Sequence, residues 1–525
     1  MSCCGSVRRC LLKLDLFDMR ASNRIIVNTL AQYVRTIINL LLSLYSARLV
    51  LDILGVDDYG IYSLVAGVVS MLSFLTNSLV GSTQRFLSFC QGRGELERLQ
   101  AVFSNSLLLH IALGLGITLT LESLAPFLFH GFLNIPEGRE EAAVIVYQQV
   151  ITMVYISFIA APYRALLVSR ENIVYTSLID VLDGVLKVFF VVLLPFIPLD
   201  SLVAYGWIIM LISLFNLLAF AIYSHRKYEE CVYPCLRLFS WGYVKELFSF
   251  TGWITYSALC IALRNQGVAI VLNRVMGTAV NAAYGIGAQI SGMVSFVSSS
   301  FSNAIAPQLM ASEGSGNRSH MWLLAEMESK FSFLLLAMVG VPTLFEMRPL
   351  LELWLVEVPR NTVLFGSMFL MMQIVDMLTS GLGLANRAMG KIGTYTIVTY
   401  TPKLLILPLS WWVLREGGSL IVIAVLMVMV ETFCMWLRIP LLRREGGFNG
   451  AAYCRSVFLK SLPPVLAGGL CCWLVCWFMD FPFRFLMTFA FSIPLFAYTA
   501  YRYSLTALER DKVDAILVRM RRILV

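Results

Sequence analysis

The sequence predicts an all-α integral membrane protein of about fourteen transmembrane helices. The expected arrangement is two six-helix lobes, related as a parallel repeat, followed by two extra C-terminal helices. Three observations carry this. Mean hydropathy is +0.78, too high for a soluble fold of this length. Apolar residues make up 58% of the chain and charged ones 14%, against roughly a quarter charged in soluble domains. The apolar runs are long and turn-poor, unlike the alternating strands of about ten residues that build membrane barrels. With 34 Phe, 21 Tyr and 10 Trp, intrinsic disorder is excluded as well.

A helix needs about 20 apolar residues to cross the hydrocarbon core. Runs of that kind lie near 25–54, 59–83, 101–125, 143–163, 173–196, 201–223, 247–272, 279–307, 322–345, 362–385, 393–413, 419–437, 458–479 and 485–501. The first is too long for one straight crossing, so it tilts or extends beyond the membrane. The fifth and sixth are divided by Pro195, Pro198 and Asp200, the last two only by the stretch from Asp480 to Pro482. The expected domains are a cytoplasmic tail (1–22), an N-lobe (23–228), a C-lobe with its preceding linker (229–445), the last two spans (446–505) and a basic tail (506–525). The first 22 residues lack the apolar h-region and cleavage site of a signal peptide. Met19 is an alternative start to Met1.

Charge placement tests this order. With the N-terminus in the cytoplasm, most of the 40 Lys and Arg fall on the cytoplasmic side. Arg93, Arg98, Arg226, Lys227, Arg443, Arg444 and the run from Arg510 to Arg522 are among them. The external loops hold Arg139, Arg274, Arg348, Arg360, Arg415 and Arg484. This asymmetry favours an even number of spans with both termini inside. It also accounts for the net charge of +8 through anionic lipid, with no nucleic acid. Neither the twelve Cys nor the four His show metal-ligand spacing, and no metal or cofactor is expected. Cys260, Cys434, Cys471, Cys472 and Cys476 lie in apolar runs, where a thiol behaves as a small hydrophobe.

Shifting the chain by 222 residues brings Gly55 onto Gly277, Tyr62 onto Tyr284, Ala66 onto Ala288 and Met71 onto Met293. Ser78 then meets Ser300, and Leu87 meets Leu309, without gaps. A polar stripe of Ser63, Gly67, Ser70, Asn77, Gly81 and Gln84 has its counterpart in Gly285, Gln289, Gly292, Ser299 and Asn303. Six spans separate the copies, so they share one orientation, as in transporters built from repeats around an axis along the membrane normal. Chance likeness between two Gly/Ser-rich helices is the alternative.

Charges inside spans cost a few kcal/mol and face a cavity or a partner. The first span carries a stripe of Asn28, Gln32, Arg35, Asn39, Ser43 and Ser46. The tenth carries Gln373, Asp376, Ser380 and Gly383, ending at Arg387. In the fifth, Asp183 and Lys187 stand four apart, as an intrahelical ion pair does, beside Asp180. Arg35 and Arg264 have no acidic residue three or four positions away, which points them at a cavity. Arg48 lies near a membrane face and can snorkel; Glu326, Glu328 and Lys330 read as interfacial. The Ser and Gly positions read as helix packing. Guanidinium suits phosphate through its bidentate fork, so an uncompensated cationic cavity favours an anionic substrate.

Residues 43–88, SLYSARLVLDILGVDDYGIYSLVAGVVSMLSFLTNSLVGSTQRFLS, resemble the opening of bacterial polysaccharide-repeat-unit flippases. These Wzx-type proteins form the polysaccharide branch of the multidrug/oligosaccharidyl-lipid/polysaccharide exporter (MOP, MATE-like) superfamily. APYRALLVSREN at 161–172, VNAAYGIGAQISGMVSFVSSSFSNAIAPQL at 280–309 and GLANRAMGKIGTYTI at 383–397 continue the likeness, which covers about 23–445. Arg164 departs from it, since a small polar residue is usual there. The resemblance implies a flippase in the bacterial inner membrane. It would carry undecaprenyl-diphosphate-linked oligosaccharide across for O-antigen, capsule or exopolysaccharide synthesis, with membrane lipids, a polysaccharide polymerase and a chain-length regulator as partners.

It also implies a cationic cavity. Arg35 and Arg264 take that role, with Arg48, Arg85, Arg164, Lys187, Arg387 and Lys403 as lesser candidates. Asn28, Gln32, Asn39, Asn77, Gln84, Gln289 and Gln373 would line it. Asp376 is the first candidate for ion coupling or gating, before Asp180, Asp183 and Glu431. The last two spans would form a groove for the lipid tail, as in lipid II flippases. The alternatives are a cation-coupled multidrug exporter or a lipid II flippase of the same superfamily. An enzyme is disfavoured: the loops near 126–142 and 346–361 are short, and Glu137, Glu140 and Glu141 read as a solvated acidic rim.

Overall fold

The computed structural model describes residues 21–70, 73–127, 129, 138–234, 236–355, 358–446, 448–479, 481, 483–506, 509–510 and 514. The expected N-terminal tail and most of the basic C-terminal tail lie outside them, as do the side chains of 63–74. The described backbone is helical almost throughout. The helices are α1 (Ala21–Ser70), α2 (Ser73–Arg93), α3 (Leu96–Phe127), α4 (Glu140–Ser169), α5 (Ile173–Leu193) and α6 (Ser201–Lys227). Then come α7 (Trp241–Met276), α8 (Thr278–Gly314), α9 (Arg318–Phe345), α10 (Met347–Trp354), α11 (Thr362–Met377) and α12 (Ser380–Met389). The last four are α13 (Ile392–Arg415), α14 (Leu420–Gly446), α15 (Gly450–Phe478) and α16 (Arg484–Thr499).

Every expected span overlaps one of these helices, but fewer than fourteen meet the demands of a crossing. Among the described residues nine helices are long and apolar enough, or ten if the bent pair α11 and α12 is one span. The reasons are local. Helix α5 carries Asp180, Asp183 and Lys187, and α16 has only 16 residues. Large apolar side chains such as Leu41, Trp412, Leu466 and Trp477 stand exposed on the outside. In water that would be an aggregation surface, but lipid solvates it.

The chain forms two compact units. One comprises Met1–Thr76, Gln100–Phe239 and Asn303–Pro307; the other comprises Asn77–Leu99, Ser240–Ser302 and Gln308–Val525. In the first, α4 packs on α6 and α1 on α5. In the second, α9 packs on α12 and α15, α11 on α14, and α15 on α16.

The internal repeat is written into the backbone. Gly55 breaks α1 with φ 77° and ψ 173°; Gly277, which parts α7 from α8, has φ 87° and ψ −179°. Essentially only glycine occupies that region. Gly94 and Gly316, again 222 apart, both have positive φ, 71° and 77°, just beyond the ends of α2 and α8. Between them the helices touch. A Cβ on Gly92 would lie 2.0 Å from the Ala311 carbonyl oxygen, and one on Gly314 would lie 2.0 Å from that of Phe89. Phe89 and Ala311 keep the same offset as Gly92 and Gly314. The crossing is therefore reciprocal, each copy presenting its glycine to the other's backbone.

A charged clasp ties loop ends in the first unit. Arg139, just before α4, donates to Asp58 (Nε–Oδ1 2.8 Å) and to Asp200 (2.5 Å). Asp200 also caps α6, accepting from the amides of Leu202 and Val203 at 3.1 and 3.2 Å. The Arg139 hydrogen bond holds the Asp200 carboxyl below its usual range.

Two outcomes are expected from this frame. Gly277→Ala meets no atom within 4 Å, so its effect is backbone strain alone. It should destabilise by about 1–3 kcal/mol, seen as a lower unfolding temperature in detergent. Because the Asp200 carboxyl titrates lower in the folded chain, the clasp's contribution is full above the ordinary carboxylate value. It fades as pH falls through the folded one. Asp200→Asn should flatten the acid limb of a stability-against-pH curve below about pH 4.

Candidate functional site

In the first unit, the polar stripe of α1 meets the end of α4 and the face of α5. Buried Asn28 donates to the Glu171 carbonyl at 2.9 Å, and Gln32 is buried one turn on. Arg35 reaches Asp180 at 2.8 Å. Asn39 lies against Gly184, whose missing side chain lets α1 approach α5 closely. Asp180 also receives both terminal nitrogens of Arg164, at 3.0 and 2.7 Å. Two guanidiniums thus share one carboxylate. Arg35 is not the uncompensated cation its own helix suggested, because its partner sits 145 residues away.

The second unit repeats this arithmetic with different residues. Arg264 on α7 is buried and contacts Glu431 on α14 at 2.5 Å. Lys403 donates to the other oxygen of Glu431. A 3₁₀ turn at Thr401–Leu405, opened by Pro402, breaks α13 beside it. Arg264, too, is compensated, by a residue 167 positions distant. Asp376 is held by Arg438 at 2.5 Å.

Arg438 and Tyr453 explain how a broken helix is tolerated there. Helices α11 and α12 bend by 50° around Leu378 and Thr379. Arg438 donates to the Asp376 carbonyl at 3.5 Å and to the Thr379 hydroxyl at 3.1 Å, and the Tyr453 hydroxyl donates to the Leu378 carbonyl at 2.7 Å. Non-helical backbone at membrane depth persists only where protein satisfies it in this way.

These groups surround a cavity of about 240 Å³, lined by Arg264, Asn265, Ser291, Ser295, Gln373, Asp376, Lys403 and Glu431 among others. Around it, Arg264, Lys403 and Arg438 face Glu431 and Asp376. In each of these two clusters the cations outnumber the carboxylates they pair with by one.

The other candidates separate. Lys187 pairs with Asp183 at 2.7 Å as its spacing predicts, and Asn216 adds a 2.6 Å hydrogen bond to Asp183. Arg48, Asn77 and Gln289 are exposed and join neither cluster. Gln84 is half-buried and outside the cavity lining. Arg387 is half-buried beside Tyr395 and Tyr400, in a small pocket of its own. Arg85 leaves the candidate set: it closes the end of α12, donating to the carbonyls of Arg387 and Ala388 at 3.1 Å each. Sequence reading missed Arg438. Its signal was a lone Arg six residues before Arg444, which reads as part of the cytoplasmic basic cluster.

Solved structures share this fold. A crystal structure of MATE in complex with MaL6 aligns over 83% of this chain and 98% of its own, with a TM-score of 0.68 and 15% identity. An outward-facing multidrug resistance MATE family transporter of the MOP superfamily aligns over 83% and 97%, with a TM-score of 0.66 and 15% identity. A MOP superfamily transporter from Pyrococcus furiosus, described as having a binding pocket of reverse polarity, gives 83%, 97%, 0.66 and 14%. The protein is thus a multi-pass membrane protein with the MATE transporter fold. Residues 22–312 match the family described as polysaccharide biosynthesis protein, and the chain belongs to that family. The uncharacterized membrane protein EpsK of Bacillus subtilis (strain 168) is 22% identical over 337 residues, which is 63% of this chain and 65% of that protein. The chain thus spans just under two thirds of that relative's length.

The shared carboxylates predict unequal effects. Glu431→Gln leaves Arg264 and Lys403 buried without their ion-pair partner and should destabilise by about 3–5 kcal/mol. Lys403→Gln leaves the Arg264–Glu431 pair intact and should cost much less. Thermal unfolding of the two variants in the same detergent checks the order.

Proposed function

We propose that the protein is a flippase. It moves undecaprenyl-diphosphate-linked oligosaccharide across the bacterial inner membrane by alternating access, with both termini in the cytoplasm. The observation that carries the reading is the excess of cations in two ion-pair clusters: two cations on Asp180, and three around Glu431 and Asp376. A diphosphate can take up that surplus through charge-assisted hydrogen bonds. Arg35 in the first unit and Arg264 in the second are each a proposed ligand for it, with Arg164 and Lys403 supplying the excess charge of their own clusters. Asn28, Gln32, Asn39 and Gln373 would offer hydrogen bonds to the sugar. Family membership supports the polysaccharide class.

The tail of such a lipid needs its own apolar path. Between α15 and α16 lies an apolar hollow of about 460 Å³ lined by Leu470, Leu474, Phe491 and Leu495, which suits a polyprenyl chain. A polymerase and a chain-length regulator would act downstream. The second reading is a cation-coupled multidrug exporter, favoured by the carboxylates of Asp376 and Glu431 in the cavity lining.

Removing the surplus without unpairing a carboxylate tests the choice. Arg164→Gln and Lys403→Gln together should lower surface-polysaccharide export in a flippase-null strain roughly ten- to hundredfold at unchanged membrane abundance. Arg164→Lys with Lys403→Arg should keep most of it. Full export by the Gln pair, or drug resistance lost instead, would overturn the flippase reading.

A further inference from the structure

Five Glu side chains are buried among the described residues: Glu230, Glu328, Glu346, Glu431 and Glu509. Four hold a cation. Glu230 pairs with Arg170, Glu346 with Arg484, Glu431 with Arg264 and Lys403, and Glu509 with Lys330. Glu328 is the exception. It lies on α9, is 0% exposed, and has no basic side chain within ion-pair distance among the described residues. It is not interfacial, as its place near the start of the span suggested. Three hydroxyls converge on it instead. Ser302 on α8 and Ser332 (3.1 Å) donate to one carboxylate oxygen, and Ser380 (2.8 Å) donates to the other.

The placement gives this group leverage. Ser380 is the first residue of α12, immediately beyond the 50° break. Beside it the Gly381 amide donates to Ser329 at 2.9 Å, and a Cβ on Gly381 would lie 2.0 Å from the Ala325 carbonyl oxygen. So α12 is held to α9 at one tightly packed point, and the Glu328 carboxylate is part of the hold. The charged and titratable groups around it are Asp376 on α11, Tyr453 on α15, and Glu326 and Lys330 on α9 itself. Asp376 is engaged by Arg438, Glu326 by Ser456, and Lys330 by Glu509. None supplies Glu328 with a counter-charge.

We propose that Glu328 is a proton-binding site whose loading changes the hold on the broken span. As an anion the carboxylate accepts all three hydroxyl donors. When a proton from water forms an O–H bond on one oxygen, that oxygen becomes a donor, and one hydroxyl must turn or let go. The proton's return to water restores the three-donor state. A proton therefore binds the two arrangements of α9 and α12 with different affinity, which is what a gradient needs to bias a conformational equilibrium. This inference does not depend on the identity of the transported substrate.

The test is pH-difference infrared spectroscopy on the purified full chain, following the carbonyl stretch of a buried protonated carboxylic acid. The wild type should show a titrating band that Glu328→Gln lacks and Asp376→Asn retains. Ser380→Ala, which removes one donor from the anion, should keep the band with a proton affinity about tenfold higher. If Glu328→Gln fails to fold, the Ser380→Ala shift decides. A band unchanged in Glu328→Gln, or lost in Asp376→Asn, or a Ser380→Ala affinity equal to wild type, would overturn the proposal.

Discussion

Taking an ion out of water into an apolar helix bundle costs several kcal/mol unless a partner stands close enough to offset it. In this protein that requirement sets which helices must meet. Asp180 draws α1 and the end of α4 onto α5, and Glu431 draws α7 and the turn within α13 onto α14. Because each carboxylate serves two cations, the helices are fastened while charge is left over. On the proposed reading, that remainder is what an anionic substrate would meet.

The same requirement explains the broken span. Residues between α11 and α12 leave helical geometry within the helix bundle. Arg438 and Tyr453, from two other helices, satisfy Thr379 and Leu378. Arg438 also holds Asp376, so the break and the cavity are maintained by one guanidinium.

Much of the architecture was legible in the chain. Hydropathy placed the helices, and the spacing of Asn28, Gln32, Arg35 and Asn39 gave the inward face of α1. The pair Asp183 and Lys187 was visible because both lie on one helix. The clusters were not, for a physical reason. A search at three and four positions sees only partners on the same helix, whereas Arg35 and Asp180 are 145 residues apart and Arg264 and Glu431 are 167 apart. Glu328 was misplaced because distance along a span was taken as depth, and the packing of α9 against α12 and α15 hides it. The offset of 222 residues was readable from Gly55 and Gly277 through Leu87 and Leu309; that Gly92, Gly94, Gly314 and Gly316 share it became clear only from their backbone angles and contacts.

The glycine crossing of α2 and α8 has a symmetry of its own. Gly92 meets the backbone at Ala311 as Gly314 meets it at Phe89. A contact in which position i touches j while j touches i is the isologous contact of a two-fold homodimer. The crossing is thus of the kind that two separate copies of one half-length chain make with each other. Away from it the two units differ in their charges: an Asp collects two Arg in one unit, and a Glu collects an Arg and a Lys in the other, at positions that the 222-residue register does not relate.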